Sequence, residues 1–311
     1  MRQSDRVRAI DGAGGLPFAG VELGGTKCVC TLALGPDAIL DQRTVATTLP
    51  DETLPAIAAV LADWATSPGF AALGIASFGP IGLRRGRPGF GRILATNKPG
   101  WRDVAVLDML SRNVAAPVGF DTDVNGAALA ERRWGAGRGL DDFAYVTVGT
   151  GVGVGLIVGG RPTRGIGHSE IGHLRVPRLA GDTAPSTCRY HADCVEGLAS
   201  GEAIAARLGA RSFDTLSEDD ALWPPVVAAL AAMCHALVCA AGPMRIAMGG
   251  GVIARNPHLP ARIEAALIES LAGYMDLPSA PYIGVPELGV QAGPLGAIAL
   301  AEAALAGETL A

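Results

Sequence analysis

The chain has 311 residues, enough for about two domains of roughly 150 residues each, which excludes a mini-protein. Hydrophobic residues make up 49% and charged residues 18%, with 43 Gly and 21 Pro, a balance too apolar for intrinsic disorder and rich in tight turns. The formal net charge of −5 leaves no global basic field, which argues against a nucleic-acid partner and against an anionic membrane surface.

Residues 1–17 are polar and glycine-bearing without the apolar stretch of a secretory signal or anchor, so a loose tail on a cytoplasmic protein is expected. From Phe18 to Leu34 the sequence reads as strand, glycine turn, strand. Ile57, Val60, Leu61 and Trp64 then recur at helical spacing after Pro55. Apolar runs at 73–77 and 117–120 predict strands, and a helix follows over about 125–134, an α/β alternation. The pattern restarts at Phe143–Gly160 with another strand, a Gly-Thr-Gly turn and another strand, so two copies of one supersecondary unit are expected to face each other. A long loop, Ala-rich helices, a strand near 245–248, the triplet Gly249-Gly250-Gly251 and a helix carrying Ile263, Leu267 and Leu271 complete the chain. The apolar stretch from Val226 to Gly242 is interrupted by His235 and falls short of the roughly 20 residues of a spanning helix; a core helix is expected, with His235 inside.

Turns of Gly and Thr between strands can lay backbone N–H groups against phosphate oxygens. Three such turns occur: Gly24-Gly25-Thr26-Lys27, Gly149-Thr150-Gly151 and Gly249-Gly250-Gly251. None fits the P-loop pattern, and each alone reads more readily as a plain structural turn, but together they point to a nucleotide. The strand ending at Asp121 runs into Thr122-Asp123-Val124-Asn125. There Asp123 could accept a hydroxyl proton in phosphoryl transfer, or Asp123 or Asn125 could simply cap the helix. His173, Cys188, His191 and Cys194 supply two imidazoles and two thiols, a closed tetrahedral set for structural zinc that would order the long loop. The other cysteines, Cys28, Cys30, Cys234 and Cys239, lack histidines at ligand spacing and are expected on apolar faces as reduced thiols.

The segments VELGGTK (21–27), FGPIG (78–82), TNKPGW (96–101), DTDVNGAALAE (121–131), VTVGTGVG (146–153), GHSEIGH (167–173), CRYHADCVEGLASG (188–201) and MGGGVIAR (248–255) together resemble the ROK family of sugar kinases, in particular its bacterial fructokinase branch. The resemblance implies two actin-like (ribonuclease H-like) α/β lobes around a cleft: 18–121, joined by the C-terminal helix 294–306, and 122–293, which carries the zinc loop 161–197. It implies ATP, Mg²⁺ and structural Zn²⁺, a hexose substrate, with D-fructose phosphorylated at C6 as the expectation from the fructokinase branch, and a homodimer. Glucose, mannose or N-acetylmannosamine are the alternative sugars, and a sugar-responsive repressor or a pseudokinase the alternative roles. Residue by residue, Asp123 falls on the general base, and Glu170, His173 and Glu196 fall on sugar-contacting positions. His173, Cys188, His191 and Cys194 fall on the zinc ligands. Gly24, Gly25, Thr26, Lys27, Thr150, Gly151, Gly249, Gly250 and Gly251 fall on nucleotide positions. Glu22 and Thr122 stand where the wider family usually has Asp and Asn, and the CxxHxxC spacing replaces a three-cysteine set; all three are similar to the fructokinase branch.

Overall fold

The structure is a computed structural model of the chain that describes residues 15–278 and 281–308. In chain order its elements begin with β1 (Phe18–Leu23), β2 (Lys27–Ala33), β3 (Ile39–Ala46), α1 (Pro50–Thr66), β4 (Leu73–Ser77), α2 (Val106–Ser111), β5 (Val118–Thr122) and α3 (Asp123–Trp134). They continue with β6 (Phe143–Val148), β7 (Val152–Val158), β8 (Arg161–Pro162), α4 (Val195–Ala199), α5 (Gly201–Leu208), α6 (Trp223–Ala241), β9 (Ile246–Gly249), α7 (Gly251–Arg255), α8 (Leu259–Leu271), β10 (Ile283–Gly284) and α9 (Ala292–Leu305). The chain divides into two compact units: one holds the chain up to Trp134, Arg161–His168 and the segment from Val290, the other Gly135–Gly160 and Ser169–Gly289. The expected tail falls almost wholly on residues 1–14, outside the described residues; just after them, the Pro17 carbonyl accepts from Ala71 N at 2.8 Å.

The first unit is a mixed sheet in the order β3-β2-β1-β4-β5. Strands β1, β2 and β3 are antiparallel neighbours and β1, β4 and β5 are parallel. Helix α1 begins with Pro50 in its first turn, followed by Asp51 and Glu52, which suit the positive end of the helix dipole, and it buries Leu54, Ile57, Leu61 and Trp64. Strand β3 had no counterpart in the sequence reading. As an edge strand it alternates between half-buried and exposed positions, so its residues lack the continuous apolar run that marked β4.

Helix α9 lies against this sheet with almost no side chain in between. Gly20, Gly74 and Gly119 stand side by side on β1, β4 and β5. A methyl group at Gly74 would fall on the Ala297 carbonyl oxygen, one at Gly119 on the Leu300 carbonyl oxygen, and one at Gly20 within 2.9 Å of the Ala297 methyl. Helix α3 meets α9 in the same way: Gly126 and Gly296 face each other, and a methyl at Gly296 would overlap the Gly126 backbone. This close approach is why α3 groups with the first unit and the division falls after Trp134 instead of between 121 and 122. Residues 161–168, expected inside the zinc loop, also group with the first unit. There the Arg164 guanidinium donates to Asp121 Oδ2, and Ile81 N donates to His168 Nε2 at 3.0 Å.

The second unit repeats the hairpin: β6 and β7 pair antiparallel, and β9 and β10 add in parallel on the far side of β6, giving the order β10-β9-β6-β7. Helix α6 is long and apolar enough by composition to cross a membrane, but Val226, Leu230, Cys234 and Leu237 are buried in the core of this unit. It stops at Gly242, whose left-handed backbone (φ 56°) lets its N–H cap the carbonyls of Leu237 and Val238. Two expectations on α6 are corrected. Cys239 is exposed, and His235 is half-buried, with Nδ1 2.9 Å from Ser270 Oγ on α8, because the two, four residues apart, share the less buried face of the helix.

The glycine seat leads to a stability prediction. Gly74→Ala and Gly119→Ala should each cost about 1–3 kcal/mol through overpacking, whereas Gly165→Ala, with nothing within 4 Å of its added methyl, should stay within about 0.5 kcal/mol of wild type. Urea denaturation midpoints of the three variants check this, and equal midpoints would remove the seat from the account.

Candidate active site

The hairpin turn between β1 and β2 is built so that its carbonyls point into protein. Gly24 N donates to the Lys27 carbonyl at 3.1 Å, and Thr47 takes up two carbonyls, Gly24 O through Oγ1 at 2.8 Å and Thr26 O through its N–H at 3.1 Å. The Lys98 ammonium donates to the Gly25 carbonyl. The N–H groups of Gly25 and Thr26 have no protein acceptor among the described residues, so this turn presents donors, with Lys27 exposed beside them. Such a concentration of N–H groups is suited to an anion.

Two residues beyond the glycine seat, on the same face, Glu22 on β1, Ala76 on β4 and Asp121 on β5 stand side by side. Gly293 of α9 backs onto Glu22, since a methyl there would overlap the carboxylate. Asp121 is fully buried and accepts from Thr122 N at 2.7 Å, from Asn125 Nδ2 at 2.8 Å and from Arg164. Its carboxylate is thereby spent on holding the start of α3. The first turn of that helix is capped by Thr122, whose Oγ1 accepts from Asn125 N at 3.1 Å. Capping therefore does not require Asp123 or Asn125. Asp123 uses one oxygen, Oδ1, on Val124 N at 2.8 Å.

Both remaining carboxyls are poised for proton transfer near neutrality. Burial pushes Asp123 up to about 7, with the Asp121 charge adding to it and the N–H groups of Val124 and of Asp123 itself opposing it. Glu22 is also pushed up to about 7, first by burial and then by repulsion from Asp123, against the pull of Lys27. A carboxyl that ionises close to the working pH is a competent general base.

In the second unit, one donor atom from each of His173, Cys188, His191 and Cys194 lies within 4.8 Å of the others. Cys188 Sγ is 3.7 Å from His173 Nδ1 and 3.6 Å from His191 Nδ1, and Cys194 Sγ is 3.8 Å from His173 Nδ1. A tetrahedral ion with bonds of about 2.0–2.3 Å has ligand edges of about 3.3–3.8 Å, so the donor set fits zinc in type and spacing. The outer nitrogen of His173, Nε2, lies 3.8 Å from Glu196 Oε1, the carboxylate–histidine arrangement that orients metal ligands. Glu196 Oε2 accepts from Val152 N at 3.1 Å, which links this cluster to the Gly149-Thr150-Gly151 turn. Thr150 itself is exposed. Glu170 is exposed just before the short turn Ile171–His173, its carbonyl accepting from His173 N at 2.9 Å.

The third turn needs its glycine. Gly250 has φ 90°, and a methyl there would overlap both Val148 backbone atoms and Thr147 Oγ1. Gly249 ends β9 and Gly251 opens α7. Each unit thus carries its own part of the expected set: Glu22, the 24–27 turn and Asp123 in the first, the 149–151 and 249–251 turns, Glu170, Glu196 and the His/Cys cluster in the second. Lys98 and Arg164 were not singled out from sequence as site residues; an isolated Lys or Arg in a loop carries no spacing signal.

Comparison with known proteins agrees with this geometry. The pattern of the ROK family matches residues 18–304. A fructokinase of Zymomonas mobilis is 40% identical, covering 91% of this chain and 96% of its own length, and a fructokinase of Pediococcus pentosaceus is 38% identical, covering 92% and 97%. A ROK family glucokinase from Streptomyces griseus, solved in complex with glucose and AMPPNP, superposes with a TM-score of 0.73 at 27% identity, covering 92% of this chain and 99% of that one. The protein is a sugar kinase that belongs to the ROK family.

Proposed function

We propose that the protein transfers the γ-phosphoryl group of ATP to the C6 hydroxyl of a hexose, and that D-fructose is its preferred substrate. The observation that carries this is the pairing, in one unit, of an N–H-donating turn with a half-buried carboxyl raised to about 7. Fructose is favoured by the fructokinases above, similar over nearly the whole chain. Glucose is the second reading, favoured by the glucokinase structure that holds it.

In this reading Asp123 takes the proton of the C6 hydroxyl as its oxygen bonds to the γ-phosphorus and the bond to the bridging oxygen breaks, releasing ADP. ATP with Mg²⁺ supplies the phosphoryl group and the charge neutralisation it requires. The Gly25 and Thr26 N–H groups with Lys27 hold phosphate oxygens, and Glu22 offers the hard oxygen that Mg²⁺ prefers. The Gly149–Gly151 and Gly249–Gly251 turns hold the rest of the nucleotide, and Glu170, His173 and Glu196 bind sugar hydroxyls. Zinc on His173, Cys188, His191 and Cys194 has no open position for a substrate, so it orders the loop and fixes the His173 ring for Glu196. The protein acts as a cytoplasmic homodimer, as the family resemblance implies.

A coupled ADP-release assay across fructose, glucose, mannose and N-acetylmannosamine tests the reaction, with turnover expected mainly on fructose; turnover confined to another sugar would overturn the substrate. Asp123→Asn should lower kcat by about 10²–10⁴-fold with sugar affinity retained.

Since only the ionised carboxylate accepts a proton, kcat/KM for the sugar should rise with pH through about 7 and level off above it. The same shift has the opposite sign for stability. A carboxyl whose folded pKa is raised contributes stability that is full below its unfolded value and is lost as pH climbs to about 7. Asp123→Asn should therefore raise Tm relative to wild type at pH 8 more than at pH 5, and a pH-independent difference would contradict the raised carboxyl. Cys188→Ser should release zinc, read by metal analysis of the purified protein, while retained stoichiometric zinc would refute the four-ligand site.

A further inference from the structure

The segment 96–101 places a lysine where the proposed reaction has use for a cation. Trp101 is fully buried, packs edge-on against Phe78 with ring centroids 5.3 Å apart, and donates Nε1–H to the Thr48 carbonyl at 2.8 Å. Trp101 N donates to the Lys98 carbonyl at 3.2 Å, and Lys98 N donates to Thr96 Oγ1 at 3.3 Å. The backbone of Lys98 is thus fixed on both sides while its chain reaches across to the β1–β2 turn, where the ammonium meets the Gly25 carbonyl. Among the described residues no carboxylate pairs with Lys98.

An ammonium has three donors, and among the described residues only one has a protein partner, a neutral carbonyl. The neighbouring N–H groups of Gly25 and Thr26 point to the same unfilled need for an acceptor. Glu22, two residues before this turn, is close enough to Asp123 for their charges to repel. In the phosphoryl-transfer reading, the phosphate oxygens that this turn and the ammonium meet are those of the terminal phosphate.

We propose that Lys98 is a further catalytic residue, its ammonium contacting the oxygens of the transferring phosphoryl group and stabilising the charge they carry as the group moves to the sugar. This rests on the phosphoryl-transfer reading above. In the ligand-free protein the Gly25 carbonyl holds the ammonium in place for the phosphate oxygens. The role differs from that of Lys27, which belongs to the turn itself and is tied to its backbone geometry.

The test compares full-length wild type, Lys98→Met, Lys98→Arg and Lys98→Ala in kcat, in KM for ATP, and in dissociation constants for AMPPNP, ADP and fructose. Lys98→Met should lower kcat by about 10²–10³-fold, weaken AMPPNP at least about tenfold more than ADP, which lacks the terminal phosphate, and leave fructose affinity within about twofold. Lys98→Arg should recover part of kcat, and propylamine should stimulate Lys98→Ala. Unchanged kcat in Lys98→Met, or equal weakening of AMPPNP and ADP without rescue by arginine, would overturn the proposal and leave Lys98 as a clasp on the turn. If wild type phosphorylates no hexose, the functional reading fails separately. The ratio of AMPPNP to ADP affinity then still decides whether Lys98 meets a terminal phosphate.

Discussion

The contact on which the first unit depends is the one between the backbone of α9 and the row Gly20, Gly74 and Gly119. With no side chains to hold them apart, the helix and the sheet meet at backbone distance, and van der Waals contact there has no slack to lose. The consequences run two residues further along the same face. Glu22 and Asp121 lie two rows on from the glycines on β1 and β5, Gly293 of α9 makes room for the Glu22 carboxylate, and Gly296 lets α3 close in through Gly126. Because Asp123 opens α3 only three residues before Gly126, its position is fixed by the same helix that fixes the strands. One backbone plane thus locates all three carboxyls.

Holding carboxyls in so packed a place has an electrostatic cost, and it shows as the shared tendency of Glu22 and Asp123 to keep their protons up to about 7. Asp121, fully buried, takes hydrogen bonds from Thr122, Asn125 and Arg164. The three acids therefore divide their tasks by environment: the one with many donors is structural, and the two with few retain a usable proton affinity. The opposing cations, Lys27 and Lys98, sit at the adjacent turn and are not consumed in ion pairs among the described residues.

Much of this was legible in the sequence because glycine, cysteine and histidine announce themselves by spacing. The two hairpins were readable from apolar strands flanking Gly-Thr turns, and the cluster His173, Cys188, His191 and Cys194 from its CxxHxxC spacing. The start of α3 was readable from a strand followed by Asp and Asn. Other features had no local signal. Gly20, Gly74 and Gly119 lie roughly 50 positions apart in the chain and become a row only through parallel pairing, which sequence periodicity does not encode. Strand β3 was hidden by its edge position. The side of α6 that carries His235 and Cys239 is set by what packs on it, and an Ala-rich helix has too little amphipathic contrast to reveal that side in advance. Lys98 looks like any loop lysine until Trp101 and Gly25 give it a place.

The proposed catalysis requires that the packing of Asp123 hold its proton near neutrality, and a ¹³C NMR titration of side-chain carboxyls in the full-length protein measures that directly. The Asp123 resonance would be assigned by its loss in Asp123→Asn. A midpoint close to 7 is the predicted result. A midpoint at or below about 4, the value of an unperturbed aspartate, would contradict the geometry from which the catalytic assignment was built.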